Sequence, residues 1–409
     1  MTTGSSRFRL GINYWPSELA MEWWKHFDEL AVKRDFARIR AAGFDSVRIF
    51  LLWEDFQPTS AHISRRALND LVRVADAAHS HELGLIPTLF TGHMSGVNWI
   101  PSWAIDSDRL PDPISSAARF RTVADGQVVS GSPKNWFLDS DIARTQARLA
   151  HAAARALEGH PALWAWDLGN ENSNCCVPPT REAAVEWLDR VSAGIRGADS
   201  RVSITLGLHM EDLTEDRRLG PQEAARFCDF LCMHGYPIYA DFAESPTDVQ
   251  ILPFLGLITH WLSGCDVLFA EFGAPALPAD RFESHRVQSS TSAIPLLEAA
   301  NAAAFTRSAI EGLRAFGFLG AMLWCYADYA EGLWCRPPLD EAAHERWFGL
   351  WGADGLPKPA VEEIHRFQGL PLVSRRLDLD WIDMDPEEFY TLPRQHLGRL
   401  YRRFCDRPG

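Results

Sequence analysis

Two carboxylates in this chain stand where a plain core has no use for them. Residues 164–174 read WAWDLGNENSN and residues 266–273 read DVLFAEFG, so Glu171 and Glu271 each close an apolar, strand-like run. A charged group at the mouth of a buried strand is costly unless it is paired, solvated or used. Taken singly, each has a bland reading: Glu171 as a helix-start charge, Glu271 as a buried ion-pair partner. Taken together, they suit glycoside hydrolysis. One carboxyl then stays protonated to give its proton to the leaving oxygen, and the other stays ionised to meet an oxocarbenium-like carbon. That division needs surroundings that push the two pKa values apart. Arg48 near one of them and aromatic burial near the other would do so.

Only a common frame can bring both to one place, and the sequence repeats one. Strand-like runs occupy 8–14, 45–51, 83–90, 162–169, 202–207, 229–235, 266–273 and 318–326. Between and after them, residues 28–42, 64–82, 141–158, 180–196, 248–263, 296–316 and 358–368 place apolar residues at three- and four-residue steps, the period of a helix with one buried face. Asp139–Ser140 and Thr180 supply helix-start signals. Near-continuous apolar strands alternating with helices predict a parallel sheet covered on its outer face. Eight repeats predict a closed (β/α)₈ barrel over residues 1–368, with 369–409 as a C-terminal extension packed on it. Such barrels build their sites where strands end, and polar residues collect there. They are Arg48 on the second strand, His93 beyond the third, and Asn170–Glu171 at the fourth. His234 and Tyr236 follow at the sixth, Glu271 at the seventh and Trp324 at the eighth.

Composition narrows the partners. The net charge of −14 over 409 residues, with no long basic run, argues against nucleic acid and against an anionic membrane surface. The N-terminus has no apolar segment of a secretory signal, and no apolar stretch reaches membrane-spanning length, so a cytoplasmic protein is expected. The eight cysteines lack framework or zinc spacing and read as reduced, mostly buried thiols. His79 and His81 read as surface residues of a helix end, and no metal is expected. No GxGxxG or P-loop pattern follows the first strand, so no nucleotide cofactor is indicated. Nothing in the sequence sets an oligomeric state. Sixteen tryptophans stand out, many in loops: Trp15, Trp53, Trp99, Trp103, Trp136 and Trp334. Flat aromatic faces match the apolar C–H faces of sugar rings, and Trp15 and Trp99 are expected at the substrate.

The set RIF, WDLGNE, HGYP, AEFG and LWCY, in that order and on those strands, resembles clan A of the glycoside hydrolases. Within it the sequence is most similar to family 5, the cellulase and mannanase family, over roughly residues 8 to 365. The resemblance implies a retaining double displacement with Glu171 as acid/base and Glu271 as nucleophile. It also implies that Asn170 holds the 2-hydroxyl and that Arg48 and Tyr236 orient the nucleophile. His93 and His234 would line the subsite of the cleaved sugar, and Trp324 would be its stacking platform. Asp167, a departure from other members, reads as a hydrogen-bond acceptor behind the site. Glu54, Asp55, Asp328 and Glu331 are further loop carboxylates that could contact substrate hydroxyls.

An enzyme inside the cell meets small imported saccharides, so exo-action on a small oligosaccharide or glycoside is expected. The segments TGHMSGVNWIPSWAIDSDRL and ADYAEGLWCRPPLDEAAHERWFGL would wall off one end of the groove. GINYWPS at the first strand and HMSG after the third look most like the exo-β-mannosidase branch of family 5, which makes a β-mannosidase the favoured reading. The alternatives are an endo-β-1,4-mannanase or endoglucanase with an open cleft, or a β-glucosidase, β-galactosidase or furanosidase using the same carboxylates. A non-catalytic sugar-binding barrel would keep the tryptophans but would need no carboxylate pair. An aldolase-type barrel would want a Schiff-base lysine within a strand end, and none of the eight offers one.

Overall fold

All eight apolar runs become strands in the computed structural model, which describes residues 7–107, 120–278, 281, 294–374 and 377–407. They are β1 (Arg9–Tyr14), β2 (Ser46–Phe50), β3 (Gly84–Thr88), β4 (Ala165–Asn170), β5 (Ser203–Leu208), β6 (Leu231–His234), β7 (Val267–Phe272) and β8 (Gly320–Leu323). Each pairs in parallel with its chain neighbours, and β1 closes on β8. β2, β4 and β7 are buried along their whole length, because one face fills the barrel and the other lies under helices. A (β/α)₈ barrel results, as the alternation predicted.

The helices follow the periodic stretches: α1 (Glu29–Ala41), α2 (Arg65–Ser80), α3 (Ser140–Ala156), α4 (Arg181–Arg196), α5 (Ile251–Ser263) and α6 (Ala299–Ala315). Polar caps start four of them. The side chains of Asp28, Ser64, Asp139 and Thr180 accept from backbone N–H groups of the first turn that would otherwise lack partners. α5 is apolar nearly all round, which a helix facing solvent would not tolerate. Its outer face is covered by the C-terminal segment: Phe254 meets Trp381, Tyr401 and Phe404 with ring centroids at 5.9, 5.0 and 5.6 Å. Tyr401 and Phe404 belong to α7 (Pro393–Cys405).

Regular pairing lapses where strands end. Register shifts occur between β4 and β5 at Asp167/Asn170, between β6 and β7 at Met233/His234, and between β7 and β8 at Phe269/Phe272. Such irregularities re-aim side chains, and these three deliver Asn170, Glu171, His234 and Glu271 to the barrel mouth. The connection after β3 adds a four-stranded sheet of Gly92–Met94, Val97–Trp99, Arg121–Ala124 and Gln127–Val129 that the sequence pattern did not announce.

Candidate active site

Arg48 is the fixed charge on which the site is built. It has no exposed surface, and each end of its guanidinium is occupied. Nε and Nη2 donate to Asp167 Oδ2 at 3.0 and 2.6 Å, and Nη2 also donates to Asn170 Oδ1 at 2.7 Å. Nη1 donates to Asn13 Oδ1 at 3.1 Å and to Glu271 Oε1 at 2.5 Å. Burial works against the charge, but Asp167 and Glu271 outweigh it and hold the guanidinium fully protonated. Asp167 in turn accepts from Thr88 Oγ1 at 2.9 Å and from the backbone N–H groups of Gly207 and Gly169. The odd aspartate of WDLGNE is therefore the acceptor that anchors Arg48 below the cavity.

Glu271 stands at the end of β7, 3 % exposed, with Oε1 on Arg48 and Oε2 accepting from the Tyr236 hydroxyl at 3.0 Å. Glu171 follows β4 in a left-handed backbone conformation, φ 49° and ψ 44°. The chain turns there because Gly169, at φ 154°, leaves room for the Asn172 side chain, which a Cβ would meet at 2.4 Å. Glu171 Oε1 lies 3.0 Å from His234 Nδ1, and Oε2 accepts from Asn174 Nδ2 at 3.1 Å. One ligand atom each of Glu171, His234 and Glu271 fits within a mutual 4.8 Å.

The two carboxyls titrate differently because their neighbours differ. Burial raises Glu171; the charge of His209 pulls it back in part, and the nearby charge of Glu271 adds to the rise. Burial also raises Glu271, but Arg48 and the Tyr236 hydroxyl pull it back. Burial, with Arg48 adding to it, holds His234 well below its ordinary value, so the ring is neutral. Its Nδ1 stands between the two carboxyls, 3.0 Å from Glu171 Oε1 and 3.5 Å from Glu271 Oε1. Burial lowers His93 to about 3, and its Nδ1 lies 2.8 Å from Asn98 Oδ1. Asn170 Nδ2 donates to the His93 carbonyl at 2.6 Å, locking the third and fourth strand ends together.

These groups open on a cavity of about 390 Å³, toward the small end of ligand sites. Of the residues expected at the site, His93, Asn170, Glu171, His234, Tyr236, Glu271 and Trp324 line it, and Arg48 lies beneath. Trp15 and Trp99 do not line it, a correction to the sequence expectation. Trp15 is buried edge-on behind Trp324 at 4.7 Å, and Trp99 turns its Nε1 onto the Met94 carbonyl at 3.2 Å. Trp53, Trp103 and Trp136 pack on one another rather than on open space. Neither Glu54, Asp55, Asp328 nor Glu331 lines the cavity. Glu54 pairs with Lys25 at 2.8 Å and Asp328 with Lys358 at 2.7 Å.

The sequence reading missed Tyr239, His344, Glu345, His209 and Asn174, all of which line the cavity. Asn174, three residues after Glu171, is the one that spacing alone could have suggested. The two segments expected as a wall, residues 91–110 and 327–350, touch each other, and Arg121, beyond the first, adds a contact to the second. Arg121 pairs with Asp340 at 2.8 and 3.0 Å, and Ser95 Oγ lies 3.1 Å from the Tyr329 hydroxyl. Residues 108–110 of the first wall segment lie outside the described residues.

No protein-family model matches the chain, and no curated protein matches it. Solved structures do. A GH5_18 protein from Streptomyces cattleya in complex with GlcNAc superposes with a TM-score of 0.71 at 24 % identity, over 89 % of this chain and 80 % of that one. Op5Man5, an exo-β-1,4-mannosidase from Opitutaceae bacterium strain TAV5, gives 0.69 at 25 % identity, over 90 % of this chain and 62 % of that one. A GH5_18 variant from Bifidobacterium longum subsp. longum, in complex with Manb1-4GlcNAc, gives 0.70 at 20 % identity over 90 % and 81 %. These structures share the (β/α)₈ barrel fold of this chain. On that barrel Glu171 and Glu271 stand at the ends of β4 and β7 and line one cavity. Among the described residues, no helix is long and apolar enough to cross a membrane.

Proposed function

We propose that this protein is a retaining β-glycosidase that removes single sugars from small saccharides, with β-mannosides favoured. The observation that carries the reading is the unequal surroundings of Glu171 and Glu271 across one small cavity. In this reading Glu171, kept protonated by burial and its like-charged neighbour, gives its proton to the leaving oxygen. Glu271, whose ionised form Arg48 and Tyr236 stabilise against burial, attacks C1 from the opposite face and forms a glycosyl ester. Glu171, now ionised, takes a proton from the water that cleaves the ester. Retention over inversion is supported by oxygens of the two carboxyls lying within 4.8 Å of each other, which suits the short carboxyl separation of retaining centres, about 5–5.5 Å, better than the wider one of inverting centres.

Asn170 is positioned by Arg48 to meet the 2-hydroxyl, and neutral His93 and His234 offer ring nitrogens to the same sugar. Trp324, lining the cavity beside Glu271, supplies an apolar platform. Exo-action is supported by the small size of the cavity, about 390 Å³, and by contacts between the connections after β3 and β8, Arg121 with Asp340 and Ser95 with Tyr329. The mannoside preference is supported by the exo-β-1,4-mannosidase and Manb1-4GlcNAc complexes among the similar structures. Small imported saccharides as substrates, and a cytoplasmic site of action, belong to the same proposal.

A panel of p-nitrophenyl β-glycosides compared by kcat/KM tests the choice of sugar. A site whose polar groups fit an axial 2-hydroxyl leaves them unpaired with the epimer, so the mannoside should lead. A mannoside tenfold or more below the glucoside or galactoside would contradict this choice of sugar and leave the two-glutamate centre standing.

A further inference from the structure

The chemistry above leaves one buried carboxylate of the cavity without a task. Glu345 sits on the short turn Ala343–Trp347 in the connection after β8, 7 % exposed, and lines the same cavity as Glu171 and Glu271. Its Oε1 accepts from the Tyr239 hydroxyl at 3.2 Å, while Oε2 is buried with no hydrogen-bond partner. Burial pushes the carboxyl up to about 7, against weaker pulls from the bonded Tyr239 hydroxyl and from Ser95 and Trp324, which stand near it without hydrogen-bond geometry. A structural carboxylate would have a cation, and its neighbours in the chain do not supply one. His344 Nε2 lies 3.6 Å from Oε1, but burial lowers that ring to about 4 and leaves it neutral. Arg346 donates to the Leu339 carbonyl at 2.6 Å and lies over the Trp334 ring. Lys358 donates to Asp328 Oδ1 at 2.7 Å and to the carbonyls of Ala276 and Trp347 at 2.8 and 3.0 Å. Lys358 thereby braces the segment two residues past Glu345, so the unpartnered oxygen is held in place.

A buried acceptor left open is expensive unless a ligand completes it. Asn170, Glu171 and Glu271 must surround C1 and C2 of the cleaved sugar. In a six-membered ring C4 lies across from C1, so the remote edge of the sugar faces another wall. We propose that Glu345 is a specificity-determining residue that accepts a hydrogen bond from the terminal sugar's 4-hydroxyl, and that this contact enforces exo-action. The inference rests on the glycosidase reading above. A chain extended at O4 would bring bulk and no donor against a buried carboxylate, so internal residues of a polymer are rejected.

The test compares the wild type with Glu345→Ala and with the shape-conserving Glu345→Gln on p-nitrophenyl β-mannoside and its 4-deoxy and 6-deoxy analogues. A site built to bond a hydroxyl rejects the analogue lacking it by roughly 10²-fold or more. The wild type should therefore lose at least that much kcat/KM on the 4-deoxy compound. Glu345→Ala should be slow on the parent yet lose less than tenfold further on the 4-deoxy compound, with Glu345→Gln between the two. The 6-deoxy penalty should be the same in all three proteins. An active wild type whose 4-deoxy penalty survives unchanged in both variants would overturn the assignment of Glu345 alone. A wild type that turns over no aryl β-glycoside would overturn the glycosidase reading, and this inference with it.

Discussion

At the end of β7, Glu271 leaves a buried strand and meets two donors, a permanent cation and a phenol. At the end of β4, Glu171 follows a left-handed turn and meets a neutral imidazole and an amide. Both are glutamates in the same cavity, and burial raises both. What separates them is how closely a charge answers theirs: Arg48 is hydrogen-bonded to Glu271, whereas the cation that acts on Glu171, His209, does so without a hydrogen bond to it. Arg48 cannot lose its proton, so it favours the ionised form of Glu271 at every working pH. His234 is neutral and stabilises Glu171 far less. Burial alone would give two similar acids; in the proposed reading one buried arginine makes an acid and a nucleophile of them.

The comparison breaks most sharply under substitution of each glutamate in turn. Glu271→Gln should abolish turnover of every β-glycoside, because no bond to C1 can form without the nucleophile. Glu171→Gln should instead depend on the leaving group. Loss of a general acid removes about 10²–10⁴-fold on substrates with poor leaving groups. A dinitrophenyl glycoside, which leaves without a proton, should still give a burst of phenol before the slow second step. Equal losses with both leaving groups in both variants would erase the distinction between the two residues.

A smaller effect sharpens the comparison through pH. Glu271 must be ionised, so activity falls on the acid side as pH drops through its pKa. Tyr236→Phe removes a donor to the ionised form, so that pKa rises and the acid limb of kcat/KM moves to higher pH. The alkaline limb belongs to Glu171, which must be protonated, and should stay where it is, above the ordinary carboxylate range. Movement of the alkaline limb alone would reverse the assignment.

The smallest effect is on stability. The folded pKa of Glu171 lies above its unfolded value, so its contribution is fully present below the ordinary glutamate range and is lost as pH rises through the raised value. Glu171→Gln cannot ionise and escapes that loss. Its melting temperature should match the wild type in acid and exceed it increasingly toward neutral and alkaline pH. In a chain of this size about 1 kcal/mol moves Tm by roughly 2–4 °C or less. A variant less stable than the wild type at every pH would contradict the sign.

How much of this was legible beforehand follows from what each feature depends on. The strands were readable because a parallel strand buried on both faces is a continuous apolar run, and their ends located Arg48, Asn170, Glu171, Tyr236 and Glu271 without further information. Asp167 was readable in kind, as an acceptor, but its partner was not. Glu345, Tyr239 and His344 were not readable. They stand on long connections whose course is set by contacts such as Arg121 with Asp340, far apart in sequence. Trp15 and Trp99 failed for a different reason. Composition announces that aromatic surface exists, but only packing decides which face of each ring is free, and both rings are turned inward.

The central claim is that Glu271, and not Glu171, bonds to the sugar. A 2-deoxy-2-fluoro β-mannosyl fluoride slows both steps and lets a glycosyl ester accumulate, so peptide mass mapping of the inactivated protein tests the claim directly. The account predicts one added sugar per chain, at Glu271 on the peptide containing DVLFAEFG, and no label on any other carboxylate. Inactivation with the label on Glu171 or Glu345, or turnover without any adduct and with an inverted first product, would contradict it.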